Sequence, residues 1–382
     1  MQPSAQTITE EGSAGGMRVA VVIQTLDALG GKERDALAIA GGLAARGHKV
    51  EIVTRSAQIA VPSGVGLRAI GSRGWTNHGR AQHFARAVAA LRDASSFDAV
   101  LSFDKLRNAD AYYAADVCFA CRDLGFKGWL PRYATYARLE RQCFGAGGPA
   151  ILFLCRKQES EYRSQYRLDA DRAVVLPPMI HDVGERSFYA TRAAVRQRFG
   201  IPDAATLAVS VAVYPEQKGI DRTIAAFADV PGVHMLAVGL NDTVWAENFA
   251  AKRGVEGRVR FLGHRDDVAD IIGAADLMLH PARLENTGLV ILESLLAGVP
   301  VIASAVCGFA EYIARSGAGM VLAEPFNAGA YVAAIRAALE PHTLAELKQR
   351  ARTAAPQLRA EGGVARNLDV IENILRRAGK RN

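Results

Sequence analysis

The chain has 382 residues, 50% of them hydrophobic and 22% charged, with a formal net charge of +7. That hydrophobic share excludes a disordered chain, and the length predicts about two domains with buried cores. No run of about 18 uncharged apolar residues occurs, which excludes a spanning helix, and the positive surplus predicts an anionic partner.

Residues 1–16 lack the basic start and apolar centre of a secretory signal, and are expected to be a mobile tail ahead of Met17. Arg18–Gln24 reads as a strand, Lys32–Arg46 as a helix ending at Gly47, and Lys49–Thr54 as the next strand. Further strands are expected at Ala99–Phe103, Ala150–Leu154 and Ala173–Leu176. Pro177 and Pro178 interrupt the pattern, and 178–203 reads as a linker. Alternation resumes with a strand over Thr206–Val213 and a helix from Gly219. Strands over Val233–Val238, Arg258–Leu262, Leu277–Leu279 and Pro300–Ala303 follow, with helices over Asp266–Gly273, Gly288–Ala297 and Asn327–Leu339. An amphipathic helix over Val364–Arg377 comes last.

Strand, glycine turn, helix, strand is the order of parallel sheets with crossover helices. The expected architecture is α/β, with two doubly wound, Rossmann-like domains facing a central cleft. The expected bounds are 17–180 and 181–363, with the helix 364–379 packing back on the first domain. Such sheets bind ligands beyond the carboxyl ends of their strands, so chemistry is sought in those loops.

The five cysteines, an odd number, fit a reducing cytoplasm. Cys118 and Cys121 form a Cys-x-x-Cys without a second ligand pair, so the cysteines are expected to be small core residues and no metal is expected. Asp169-Ala170-Asp171 reads as a polar turn before a strand rather than a metal site.

After the first strand, Gly30 and Gly31 precede Lys32 and Asp35. Two glycines let backbone N–H groups approach an anion at a helix start; the alternative is a tight turn needing positive φ. The dinucleotide and P-loop fingerprints are both missing. In the second half, the strand Leu277–Leu279 runs into His280-Pro281-Ala282-Arg283-Leu284-Glu285-Asn286-Thr287-Gly288, and Glu293 lies on the helix beyond. Thr287 and Gly288 offer free N–H groups to a diphosphate, and the two carboxylates can accept hydrogen bonds from sugar diols. Lys218, before Gly219, can place an ammonium on a departing phosphate. As an ordinary exposed lysine it would sit poorly at a helix start.

Glu285 and Glu293 with seven residues between them, the Lys218-Gly219 helix start and the Gly30-Gly31 loop together resemble retaining glycosyltransferases of the GT-B type, family 4. The likeness is closest to the branch that builds the lipopolysaccharide core. Thr76-Asn77-His78-Gly79-Arg80, Ala114-Ala115-Asp116-Val117-Cys118, Leu176-Pro177-Pro178, Ala305-Val306-Cys307-Gly308 and Ala323-Glu324-Pro325-Phe326 carry it across both halves. The resemblance implies a UDP-sugar donor, a heptose of the lipopolysaccharide core as acceptor, and no divalent metal or other cofactor. It puts Gly30, Gly31, Gln217, Lys218, Gly239, Asn286, Thr287, Gly288 and Leu289 around the donor, Glu285 on its sugar and Glu293 on its ribose. Lys218, Glu285, Asp35 and Asp104 are the implied catalytic set, with Lys105, Asn77, His78 and Arg80 toward the acceptor. Gln217 stands where many relatives have arginine.

No carboxylate is clearly placed to attack an anomeric carbon, so the expected route is front-face attack by the acceptor hydroxyl, with the departing phosphate as base. Between residues 122 and 144, Arg122, Lys127, Trp129, Arg132, Tyr133 and Tyr136 interleave cations with aromatics. From composition they read as a helix with a solvated basic face; with the resemblance, they read as a surface for an anionic membrane. The expected location is cytoplasmic, on the inner face of the bacterial inner membrane. No nucleic-acid motif accompanies the charge. The Thr76–Arg80 stretch reads equally as a simple loop. Two other classes stay open: a sugar-nucleotide epimerase using His264 and Asp104, and a non-catalytic lipid-binding protein.

Overall fold

The computed structural model describes residues 15–28, 30–71, 74–94, 96–122, 125–181 and 192–379. The expected tail up to residue 14, residues 182–191 of the expected linker and the side chain of Lys127 lie outside the described residues.

The strands are β1 (Arg18–Val22), β2 (Thr25–Leu26), β3 (Lys49–Thr54), β4 (Ser56–Ala57), β5 (Val65–Ala69), β6 (Ala99–Ser102), β7 (Ala111–Tyr113), β8 (Ala150–Phe153) and β9 (Ala173–Val175), then β10 (Thr206–Val211), β11 (Val233–Val238), β12 (Val259–Phe261), β13 (Leu277–His280), β14 (Val301–Ser304) and β15 (Gly319–Leu322). The helices are α1 (Gly31–Ala45), α2 (Asn77–Asp93), α3 (Pro131–Phe144), α4 (Arg156–Gln165), α5 (Arg192–Arg198), α6 (Pro215–Lys218), α7 (Ile220–Phe227) and α8 (Val244–Lys252), followed by α9 (Val268–Gly273), α10 (Leu289–Leu296), α11 (Ala310–Ser316), α12 (Ala328–Leu339), α13 (Pro341–Glu361) and α14 (Val364–Gly379).

The chain forms two compact units, one of Met1–Tyr112, Pro131–Pro149 and Ile371–Asn382, the other of Tyr113–Leu130 and Ala150–Val370. In the first, strands run parallel in the order β5-β3-β1-β6-β7. β1 is buried from Val19 to Val22, as expected of a parallel strand covered on both faces. Ala20, Val22 and Val100 pack with Phe84 and Val88 of α2. Glu372 of α14 pairs with Arg46 at 3.1 Å and His48 at 3.2 Å.

In the second unit, β8 pairs with β9, and a six-stranded parallel sheet has the order β12-β11-β10-β13-β14-β15. Val209, Leu236, Met278 and Val301 of this sheet pack against Ile291, Leu292 and Leu295 of α10. Ala208, Met235, Leu277 and Ile302 pack on the other side with Ile224 and Phe227 of α7. β10 and β13 are neighbours, so the loops leaving their carboxyl ends are brought together by the register of the sheet.

Three expectations need correction. The span 178–203 is not irregular throughout, because it contains α5. Its period is hard to see because Arg196, 1% exposed, occupies a core-facing position. Its guanidinium donates to the carbonyls of Pro202, Asp203 and Ala205 and to Asp276. Thr76–Arg80 is not a simple loop but the start of α2, with Thr76 as N-cap accepting from the Gly79 N–H at 3.1 Å. Cys121 is exposed, whereas Cys118, Cys143, Cys155 and Cys307 are buried.

Candidate active site

The loop leaving β10 passes Tyr214, forms the short helix α6 and turns through Gly219, whose φ of 71° is left-handed, into α7. Lys218 is therefore the last residue of α6, where the dipole welcomes a cation, and it directly precedes Gly219, the N-cap of α7. A Cβ on Gly219 would stand 2.2 Å from the carbonyl oxygen of Pro281, so only glycine allows this approach to the loop leaving β13.

The two loops are interlocked. The backbone N–H of Arg283 donates to the Gln217 carbonyl at 2.7 Å. The Arg283 guanidinium forks onto Asp221 at 2.7 and 2.6 Å. Burial works to raise the Asp221 carboxyl, but the Arg283 pair holds it below the usual range. Arg222 donates to the Pro281 carbonyl at 3.0 Å and lies 3.9 Å above the Phe326 ring.

This frame sets three side chains against one another. Lys218 Nζ donates to Glu285 Oε2 at 2.5 Å, and His280 Nε2 meets the same oxygen at 3.1 Å. Oε1 of Glu285 accepts from the Asn286 N–H at 3.1 Å. Burial favours the neutral carboxyl, yet the His280 hydrogen bond and the Lys218 charge outweigh it and lower Glu285 to about 2. Glu285 is thus ionised across the physiological range. Ionised Glu285 can only accept, so His280 Nε2 donates to it, while the buried Nδ1 has no hydrogen-bond partner among the described residues. Sequence reasoning passed over His280; its place at the carboxyl end of a central strand was the available signal.

Gly288, with φ 81°, caps α10, and Glu293 is half-buried on that helix. The Thr287 carbonyl accepts from the Phe309 N–H at 2.8 Å. The Asn286 side-chain amide donates to the carbonyls of Ala114 at 3.2 Å and Ala115 at 2.9 Å, so it anchors the loop. Gly239, φ 98°, follows β11, where a Cβ would stand 3.2 Å from the Val213 nitrogen at the root of the Lys218 loop.

In the other unit, Gly30 caps α1 with φ −97°, outside the left-handed region. Space beside Gly31 is open, since a Cβ there would meet nothing within 4 Å. Asp35 is buried one turn on. Asp104 accepts from the Gln24 N–H at 2.7 Å and from Lys32 Nζ at 2.9 Å, tying the loop after β1 to the start of α1. Lys105 Nζ donates to the fully buried Glu140 at 2.5 Å. Asn77 opens α2, His78 Nε2 is 3.3 Å from the Thr76 hydroxyl, and Arg80 donates to the Gly74 carbonyl at 3.1 Å. Arg122 lies over Phe119 and Arg132 over Tyr133, each at 5.9 Å. Tyr133 and Tyr136 are half-buried, whereas Trp129 is 91% exposed.

Residues 191–357 match the family described as glycosyl transferases group 1. The chain is also 36% identical over 324 residues to the lipopolysaccharide glucosyltransferase WaaG of Escherichia coli strain K12, covering 81% of this chain and 86% of that one. The chain belongs to the group 1 glycosyltransferases.

The crystal structure of WaaG, described as a glycosyltransferase involved in lipopolysaccharide biosynthesis, superposes on this glycosyltransferase with a TM-score of 0.85 at 33% identity, covering 92% of this chain and 99% of that one. Anabaena HepE, solved in complex with UDP-glucose, gives a TM-score of 0.70 at 16% identity over 96% of this chain and 99% of that one, a likeness of fold alone. The fold is GT-B, as the motifs led us to expect, and the chain is an enzyme. Within this glycosyltransferase the Lys218–Glu285–His280 group stands at the carboxyl ends of β10 and β13. Of the two residues an epimerase would use, His264 is largely exposed, 3.9 Å from Asp266, and Asp104 is held by the Gln24 N–H and Lys32.

Proposed function

We propose that this glycosyltransferase moves glucose from UDP-glucose to an inner-core heptose of lipopolysaccharide, with retention at the anomeric carbon and without a metal ion. The observation that carries the reading is the Lys218–Glu285 pair at 2.5 Å, locked between adjacent strand ends. The similarity to WaaG over most of both chains supports the sugar and the acceptor class.

Glu285, ionised at neutral pH, accepts hydrogen bonds from the donor-sugar hydroxyls, and Glu293 from the ribose. The Thr287–Leu289 amides at the start of α10 hold the diphosphate. The acceptor oxygen bonds to the anomeric carbon on the face the diphosphate leaves. The breaking bond sends its electron pair to the β-phosphate oxygen, which takes the acceptor's proton. The Lys218 ammonium stabilises the charge growing on that phosphate. Metal independence is supported by the donor set: the one carboxylate in the group already has an ammonium and an imidazole on a single oxygen.

We place the enzyme on the cytoplasmic face of the inner membrane. Among the described residues no helix is long and apolar enough to cross a membrane, while Phe126 and Trp129 are 80% and 91% exposed beside basic residues, a composition suited to an anionic bilayer surface.

The test incubates the full chain with UDP-glucose, UDP-galactose or GDP-glucose and lipopolysaccharide truncated at the inner core, with and without EDTA. Glucose transfer from UDP-glucose in EDTA, with an α-linked product by NMR, is expected. Loss of transfer in EDTA, or a β-linked product, would sink the mechanism. Conversion of labelled UDP-glucose without acceptor would establish an epimerase instead.

A further inference from the structure

A groove of about 340 Å³ lies between α2, α3 and the loop after β6, all within one compact unit. Arg86 of α2, Arg107 of the loop and Arg138 of α3 line it, with Gln82, Asn108 and Gln142 between them and no carboxylate in the lining. None of these three guanidiniums has a hydrogen bond or ion pair among the described residues. Neighbouring cations are treated differently: Arg92 pairs with Asp110 at 2.6 Å and Lys105 with Glu140 at 2.5 Å. The groove thus concentrates like charges that repel one another unless an anion enters.

Its walls are fixed. Gln82 donates across to the Thr135 hydroxyl at 3.0 Å, joining α2 to α3, and the floor is formed by the buried Val88 and Leu106. A phosphate monoester carries close to two negative charges and three acceptor oxygens, which forked guanidinium donors match, and the volume falls in the range of small-ligand pockets. We propose that this groove binds the phosphomonoester of a phosphorylated saccharide or lipid headgroup, in the unit that does not hold Lys218. The assignment stands apart from the donor and acceptor proposed above.

The test uses the full chain with two probes, soluble glycerol 3-phosphate and phosphatidylcholine vesicles with or without phosphatidic acid. The wild type should bind a phosphate-bearing probe, more weakly as salt rises. The triple variant R86A/R107A/R138A should lose at least about tenfold in affinity, near 1.4 kcal/mol. The charge-matched R352A/R359A/R366A should bind as the wild type does. Binding of glycerol 3-phosphate identifies a saccharide phosphate as the source, and binding of vesicles alone a headgroup. If the triple variant melts lower than the wild type, R107A alone replaces it, with an expected loss of about threefold. Absence of wild-type binding to either probe, wild-type affinity in the groove variant, or an equal loss in the charge-matched variant would overturn the proposal.

Discussion

Lys218 and Glu285 are 67 residues apart in sequence, and their charged atoms are 2.5 Å apart in the fold. The pair is partly buried, with side-chain exposures of 20% and 11%, so each charge needs the other. In the proposed reaction the ammonium has a second anion to serve, the departing diphosphate. Replacing Lys218 by Ala should therefore lower kcat by about 10²–10³, the usual cost of losing one donor to a developing oxyanion. Steady-state kinetics with saturating donor check it, and a variant within threefold of wild type would remove Lys218 from the mechanism.

The depressed Glu285 carboxyl links the site to stability. Its folded value of about 2 lies below the ordinary 4.5, so the unfolded chain takes up the proton first as pH falls. The contribution is fully present above about pH 4.5 and is lost as pH falls toward 2. The gap in urea midpoint between wild type and Glu285→Gln should be constant from pH 7 to about 5 and narrow below that. A gap that widens on acidification would reverse the assignment.

Gly219→Ala tests the frame instead of the charges. The left-handed φ of 71° costs a non-glycine residue about 1–3 kcal/mol, and the Cβ would sit 2.2 Å from a backbone oxygen that cannot swing aside. The variant should unfold at lower urea and bind UDP-sugar more weakly, because the residue after Lys218 must move. Calorimetry and urea titration check both, and unchanged donor affinity in a folded variant would separate the Lys218 loop from the donor site.

The parallel strands were legible in the sequence because apolar runs such as Val19–Val22 and Met235–Val238 are buried on both faces and need no period. Helix α5 was not, because Arg196 stands where periodicity expects an apolar residue, its buried guanidinium satisfied by five acceptors, one of them the Asp276 carboxylate. Thr76 had the chemistry of an N-cap, but the helix behind it begins Asn-His-Gly, a weak opening by propensity. Of the candidate site, Lys218 and Glu285 could be found from loop position, since strand ends gather ligand-binding loops. Their mutual contact could not, because it depends on β10 and β13 being neighbours, which strand order alone decides. His280 was overlooked because the loop carboxylates were read as partners of a sugar, and nothing in the sequence shows that the imidazole at the end of β13 turns onto Glu285.

A second charged cluster stands at the amino ends of the same sheet's strands. Asp276 precedes β13, and its side chain is 7% exposed. Arg192 meets it at 2.6 Å, Arg196 at 2.7 Å and Lys348 of α13 at 2.5 Å, and the Leu207 N–H donates at 2.9 Å. Burial would raise this carboxyl, but the Lys348 hydrogen bond and its other partners hold it below the usual range. Removing it leaves the Arg196 guanidinium buried without its counter-charge, which for a buried pair costs about 3–5 kcal/mol. Asp276→Ala should lose that much in urea denaturation. Lys348→Ala should lose less, because its side chain is 22% exposed and two arginines remain on the carboxylate. If Asp276→Ala stays within about 1 kcal/mol of wild type, or Lys348→Ala costs more, then α5 and α13 are held to the sheet by apolar packing and not by this carboxylate.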